Sequence, residues 1–109
     1  MNKVVLKGNL VKDPERVSEK VVRFSIATND GTKEKPKTNF HSVTVFGKLS
    51  DTVEKFFVKG QEILIEGMID YSKHEDKYYT NILLHRFYFC GSKSEGRQEM
   101  EKQEDDLPF

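Results

Sequence analysis

Residues 38–48, TNFHSVTVFGK, restrict the fold more than any other stretch of this chain. Read as a strand, the segment points its side chains alternately to two faces. One face carries Val43 and Val45, with Gly47 beyond them. The other carries Phe40, Ser42, Thr44, Phe46 and Lys48. The valine face is a core face. The second face is mixed: two aromatic rings six residues apart, hydroxyls between them and a cation at the end. At about 3.3 Å per residue the rings stand roughly 20 Å apart. Two readings are open at this point. Rings beside cations hold unpaired bases by stacking. Rings on a strand also pack into a second apolar layer or a subunit interface.

The same period recurs along the chain. Residues 3–10 place Val4, Leu6 and Leu10 on one face and Lys3, Lys7 and Asn9 on the other. Asp13-Pro14-Glu15 is turn chemistry. Residues 21–29 turn Val22, Phe24, Ile26 and Thr28 inward and Arg23 and Ser25 outward. A polar loop follows, with Lys33, Lys35, Pro36 and Lys37. Leu49, Val53, Phe56 and Phe57 then recur at helical spacing, which predicts a short helix over residues 51–58, with Ser50 as its N-cap and Gly60 as its stop. Residues 61–71 return to period two, and residues 72–77 read as a polar hairpin connection. Residues 78–90 are apolar on both faces around Ile82, Leu83, Leu84, Phe87 and Phe89, so that strand is central or covered by a partner. Five strands with one short helix between the third and fourth predict an all-β OB-fold, a five-stranded Greek-key barrel. An SH3-like barrel or a split sheet shares the pattern.

Composition narrows the function classes. Hydrophobic residues make up 36% of the 109 and charged residues 33%, which is polar for a globular chain. The apolar residues nevertheless cluster in short runs, so one modest core is expected. No run approaches the ~20 apolar residues that cross a bilayer. The start of the chain alternates directly, without a signal-peptide pattern, so a cytoplasmic protein with no membrane partner is expected. Cys90 is the single cysteine, expected as a small buried apolar residue. His41, His74 and His85 lack neighbours at ligand spacing, so no metal or other cofactor is expected. Glu75 and Asp76 beside His74 read as an exposed hairpin. No phosphate-binding glycine loop or nucleophile motif is present, and no enzyme is expected. The formal charge of zero hides an asymmetry: residues 1–91 carry +3 and residues 92–109 carry −3. That fits an anionic partner for the body and a basic partner for the tail.

Four segments, taken in order, resemble the bacterial-type single-stranded DNA-binding protein family. They are Asn2-Lys3-Val4-Val5-Leu6-Lys7-Gly8-Asn9-Leu10 with Asp13-Pro14-Glu15; Phe40-His41-Ser42-Val43-Thr44-Val45-Phe46-Gly47-Lys48-Leu49; Lys59-Gly60 with Ile65-Glu66-Gly67; and Glu104-Asp105-Asp106-Leu107-Pro108-Phe109. The resemblance implies that Phe40 and Phe46 stack on bases. It implies that Lys48, Lys59 and Lys73 face phosphates and that Lys33, Lys35 and Lys37 lie in a strand-contacting loop. His74 falls where many members have a stacking Trp. This chain has no Trp, which leaves Tyr71 or Tyr78 to compensate from the same hairpin. His41 matches a histidine near the family's subunit interface.

The resemblance also divides the chain: an OB-fold over residues 1–91, a short disordered linker over 92–103 and an acidic tip over 104–109. In the family the tip recruits replication, repair and recombination proteins. Its chemistry fits that role. Phe109 joins a ring to an α-carboxylate, with Leu107 beside it, Pro108 limits the conformations to be ordered, and Asp105 and Asp106 steer toward a basic pocket. The family usually forms a homotetramer. A non-enzymatic protein that coats single-stranded DNA in replication, recombination and repair is therefore expected. An adaptor with weak strand binding and an RNA-binding OB module are the competing classes.

Overall fold

The computed structural model of the chain describes residues 1–90. The expected linker over 92–103 and the expected tip, with Asp105, Asp106, Leu107, Pro108 and Phe109, lie outside the described residues. Six strands and one helix follow in the order β1 (Val4–Leu10), β2 (Glu15–Ser18), β3 (Val21–Asn29), β4 (Thr38–Phe46), α1 (Lys48–Phe56), β5 (Glu62–His74) and β6 (Lys77–Phe89).

Five of the strands close a ring. β1 pairs with β5, β5 with β6, β6 with β4, β4 with β3, and β3 returns to β1. Only the β4–β6 contact is parallel. With α1 between the third and fourth barrel strands, this is the expected OB-fold. β1 serves two partners: β5 from Val4 to Asn9, and β3 at Asn9 and Leu10. Gly8 sits where it crosses from one to the other. A Cβ there would stand 2.4 Å from the Ala27 carbonyl oxygen, so the ring closes only with glycine at this point.

Period two decides what fills the ring. In β3, Val22, Phe24, Ile26 and Thr28 are all buried, as their alternation predicts. Val43 and Val45 of β4 have no exposed surface. They meet Ile63 and Ile65 of β5, Ile82, Leu84 and Phe87 of β6, and Val53 and Phe57 from the helical side in one core. Phe57 is the hub of its aromatic part, packing edge-to-face on Phe24, Phe87 and Phe89 with centroids 5.2, 4.9 and 5.5 Å away. β6 is central by pairing on both edges, but only one of its faces is covered within the chain: Ile82, Leu84 and Phe87 are buried, whereas Leu83 is half-buried and Tyr88 exposed on the outer face. A bulge leaves His85 unpaired between Arg86 and Leu84, the partners of Glu66 and Gly67.

Several local expectations need correction. α1 starts at Lys48, not residue 51, because Gly47, at φ 70°, turns the chain into the helix directly after β4. Ser50 is therefore inside the first turn, where its buried hydroxyl donates to the Gly47 carbonyl at 2.5 Å instead of capping. The helix ends at Phe56, with Phe57 already extended, and Gly60 takes its positive φ in the connection beyond. Residues 72–77 are not a loop. β5 and β6 remain paired through Ser72↔Tyr79, Lys73↔Tyr78 and His74↔Lys77, and a two-residue turn of Glu75 and Asp76, at φ 49° and 67°, joins them. Polar side chains do not break this ladder, because both faces of the arm meet water. Cys90 is half-buried rather than buried.

β2 was not foreseen. Its four residues pair with β3 alone, through Glu15↔Arg23 and Arg16↔Val22, and are too short to show a period. Arg16 ties it to the helix. Its guanidinium reaches Asp51 at 2.9 Å and Glu54 at 3.0 Å, and also donates to the Ser18 and Glu19 carbonyls.

Candidate nucleic-acid interface

The outer face of β4 is set by the core face beneath it. Burying Val43 and Val45 forces Phe40, Ser42, Thr44 and Phe46 outward. Phe40 is 68% exposed and Phe46 56%, so neither ring lies in a second apolar layer within this chain. Thr44 is the exception on this face. Asn81 of β6 donates to its hydroxyl at 2.5 Å, and it is buried. That contact joins the outer faces of β4 and β6 into one surface.

The basic loop stands at the Phe40 end of this surface. Lys33, Lys35 and Lys37 are all exposed between β3 and β4. The loop is closed at its base by Asp30 N–H donating to the Lys37 carbonyl at 2.8 Å. A side-chain network holds the same point. Asp30 Oδ2 accepts from the Thr28 hydroxyl at 2.6 Å and from Asn39 at 2.7 Å, and Thr28 Oγ1 lies 2.9 Å from His41 Nε2. The Thr28 proton is given to a carboxylate that only accepts, so His41 supplies Nε2–H to the same hydroxyl. These bonds, that from Thr28 first, hold the Asp30 carboxyl below its ordinary pKa. His41 is thereby a half-buried structural group next to Phe40.

The arm formed by the ends of β5 and β6 separates residues that the sequence grouped together. Opposed residues of an antiparallel pair share a face. Tyr71, Lys73, Tyr78 and Thr80 lie on one face, continuing the line of Ile69 and Ile82 past the barrel mouth. Lys73 Nζ sits 5.5 Å from the Tyr78 ring centroid, so a cation and a ring form one contact there. His74 lies on the other face, with Lys77, Ser72 and Tyr79. Neither Tyr71 nor Tyr78 therefore stands in for a ring at His74. Tyr79, 49% exposed, is the aromatic that shares its side. Sequence reading placed Tyr79 in the last strand but did not single it out, because it is the hairpin register, Ser72↔Tyr79 and His74↔Lys77, that puts it on the side of His74.

The outer face of β4 thus continues through Asn81 to Tyr79 and His74. Parallel register puts Val43 level with Ile82, so Phe40, the basic loop and the arm lie at one end of the barrel and Phe46 at the other. Lys48 is exposed at the start of α1, just past Phe46. Lys59 is exposed in the connection to β5, and its amide donates to Asp13 at 2.7 Å. It is held beside the β1–β2 turn, one strand away from the β4 face. Among the described residues no cluster of three His, Cys, Asp or Glu side chains is arranged to hold a metal ion. No helix among them is long and apolar enough to cross a membrane.

Comparison with known proteins gives one consistent result. Residues 1–89 match the Single-strand binding protein family. Single-stranded DNA-binding protein 1 of Chlorobaculum tepidum is 32% identical, over 88% of this chain and 68% of its own length. The single-stranded DNA-binding protein of Xanthomonas campestris pv. campestris is 31% identical, over 88% of this chain and 64% of its own. That of Clostridium perfringens is 34% identical, over 88% and 70%.

Proposed function

The chain belongs to the single-strand binding protein family, and from that premise we propose that it binds single-stranded DNA without sequence preference along the outer face of β4. The observation that carries this reading is the exposure of Phe40 and Phe46 on one face of a strand whose other face buries Val43 and Val45 completely. Every base has a π-face, so stacking on such rings is worth about 1–3 kcal/mol per base and ignores sequence. Lys33, Lys35, Lys37 and Lys48 flank the two rings and supply phosphate attraction that weakens with salt. Tyr79 and His74 extend the path onto the arm. Tyr71, Lys73 and Tyr78 form a second contact on the arm's other face, and Lys59 a peripheral one.

Its role is to coat strands exposed in replication, recombination and repair, in the cytoplasm and with no catalytic step. The acidic tip, Asp105 to Phe109, recruits partner proteins by its ring, carboxylates and chain end. The chain works as a homo-oligomer, a tetramer by family. Val5 and Tyr88 are exposed, and Leu64, Met68 and Leu83 half-buried, on the outer surface of β1, β5 and β6, which supports apolar burial between copies. Light scattering coupled to gel filtration tests the assembly, and a monomer at micromolar concentration would contradict it.

Competition tests the binding. Labelled oligo(dT) bound by the protein should be displaced by unlabelled single strands of mixed sequence and not by the same sequence as a duplex, whose bases are already stacked. Equal displacement by duplex would contradict the stacking reading.

A further inference from the structure

β1 leaves the sheet after Leu10, and β2 rejoins β3 only at Glu15. The edge of β3 between them is not covered by a strand. A cleft of about 230 Å³ opens there, lined by Val11, Lys12, Asp13, Glu15, Arg23, Phe24, Ser25 and Ser42. That is smaller than ordinary small-molecule pockets, which run about 300–1,000 Å³. Its position matters more than its size. β3 and β4 face each other in the rows Ala27↔Phe40, Ser25↔Ser42, Arg23↔Thr44 and Val21↔Phe46. The cleft occupies the two middle rows. It therefore lies beside the gap between the two exposed rings.

That gap needs filling. Phe40 and Phe46 stand roughly 20 Å apart along β4, and no exposed aromatic ring lies between them on β3 or β4. A strand stacked on both rings crosses the Ser42 and Thr44 rows with its backbone unsupported by stacking. Arg23 and Lys12 are the cations at that crossing. Both are exposed, and neither has an ion-pair or side-chain hydrogen-bond partner among the described residues. Ser25 and Ser42 add two hydroxyls. Of the two carboxylates, Asp13 is engaged by the Lys59 amide. Glu15, opposite Arg23 across β2 and β3, is the one that opposes an anion. A planar guanidinium with free donors suits a phosphate.

We propose that this cleft is a nucleotide subsite of the DNA path: Arg23 and Lys12 hold a backbone phosphate, and Ser25 and Ser42 the adjoining sugar or base edge, as the strand passes from Phe40 to Phe46. The subsite rests on the single-strand binding reading above. It adds two cations that the sequence pattern did not single out, and it predicts that Glu15 restrains affinity.

The test is a salt titration of labelled oligo(dT) with the wild type, Arg23→Gln, Lys12→Gln, Glu15→Gln and, as a control on the helix, Lys55→Gln. Each lost phosphate contact should lower the slope of log K against log salt by about 0.7 for a single strand. Arg23→Gln and Lys12→Gln should each weaken binding roughly three- to tenfold at low salt and reduce the slope by that amount. Glu15→Gln should tighten binding, and Lys55→Gln should leave the slope unchanged. Failure of the wild type to bind at low salt would overturn the function and the subsite together. A wild type that binds while Arg23→Gln and Lys12→Gln keep its slope would overturn the subsite alone. So would a loss in Lys55→Gln equal to that in Arg23→Gln, because the effect would then be one of net charge.

Discussion

Phe40 and Tyr71 are equally exposed, at 68% each, yet they lie on opposite surfaces of one continuous sheet. Phe40 stands on the outer face of β4, which passes through the Thr44–Asn81 contact to the outer face of β6. Tyr71 pairs with Thr80 on the other face of the arm, in line with the core residues Ile69 and Ile82. A strand that touches both must pass around the arm.

This separation predicts a dependence on oligonucleotide length. Phe40→Ala should weaken binding of a short oligomer of about eight nucleotides, within the ~4–16 that one OB-fold covers. Tyr71→Ala and Tyr78→Ala should leave that short oligomer nearly unaffected and weaken only longer ones. Anisotropy titrations with a length series measure this, and an equal loss from Tyr71→Ala at the shortest length would place both surfaces on one short path.

Phe57→Ala should cost about 3–5 kcal/mol, because it removes the ring on which Phe24, Phe87 and Phe89 all pack. Phe57 is 2% exposed and is not itself among the proposed DNA contacts. Urea unfolding should show the loss, while any protein that remains folded keeps its strand affinity.

Gly47→Ala isolates a backbone effect. A Cβ at this position meets nothing within 4 Å, yet the residue sits at φ 70°, ψ −144°. Strain of that kind costs about 1–3 kcal/mol. The expected result is a lower urea midpoint with an unchanged m-value. An unchanged midpoint would mean that the turn into α1 relaxes.

Acid should loosen the fold at two defined carboxylates. Asp30 is held below its ordinary value of 3.8, first by the Thr28 hydrogen bond and then by that from Asn39. Glu66 is held below its ordinary 4.5, first by its hydrogen bond from Lys3, with the Lys3 and Arg86 charges assisting. A carboxyl depressed in the folded state adds stability that is complete above its unfolded value and is lost as pH falls through the folded one. Stability should therefore be flat above about pH 5 in these terms and fall below about pH 4. Asp30→Asn should show a smaller fall than the wild type over that acid range. An identical fall in both would remove Asp30 from the account.

Much of the barrel was legible in the sequence because period two is a direct record of burial. The inward set of β3 and the two faces of β4 follow from it without tertiary information. What was not legible has identifiable physical causes. β2 is shorter than any period can reveal; it is held by pairing with β3 and by Arg16 reaching Asp51 and Glu54, which are distant in sequence. The arm reads as polar loop because its strands are solvated on both faces, so burial leaves no pattern there. The start of α1 depends on the backbone of Gly47, and a hydroxyl at Ser50 resembles a cap until its carbonyl partner is seen. Spacing put Phe40 and Phe46 together on one face of β4, and the family resemblance made them candidate stacking rings. Tyr79, Arg23 and Lys12 were not singled out, because the neighbours that bring them beside that face are set by cross-strand register and loop path.

The most direct test is a titration of labelled oligo(dT) at low and moderate salt, comparing the wild type with the Phe40→Ala, Phe46→Ala double variant. The account predicts tight binding by the wild type, weaker at higher salt. With about 1–3 kcal/mol from each ring, the double variant should bind roughly thirtyfold more weakly or worse, at an unchanged urea midpoint. A folded double variant that binds as tightly as the wild type would contradict the central claim.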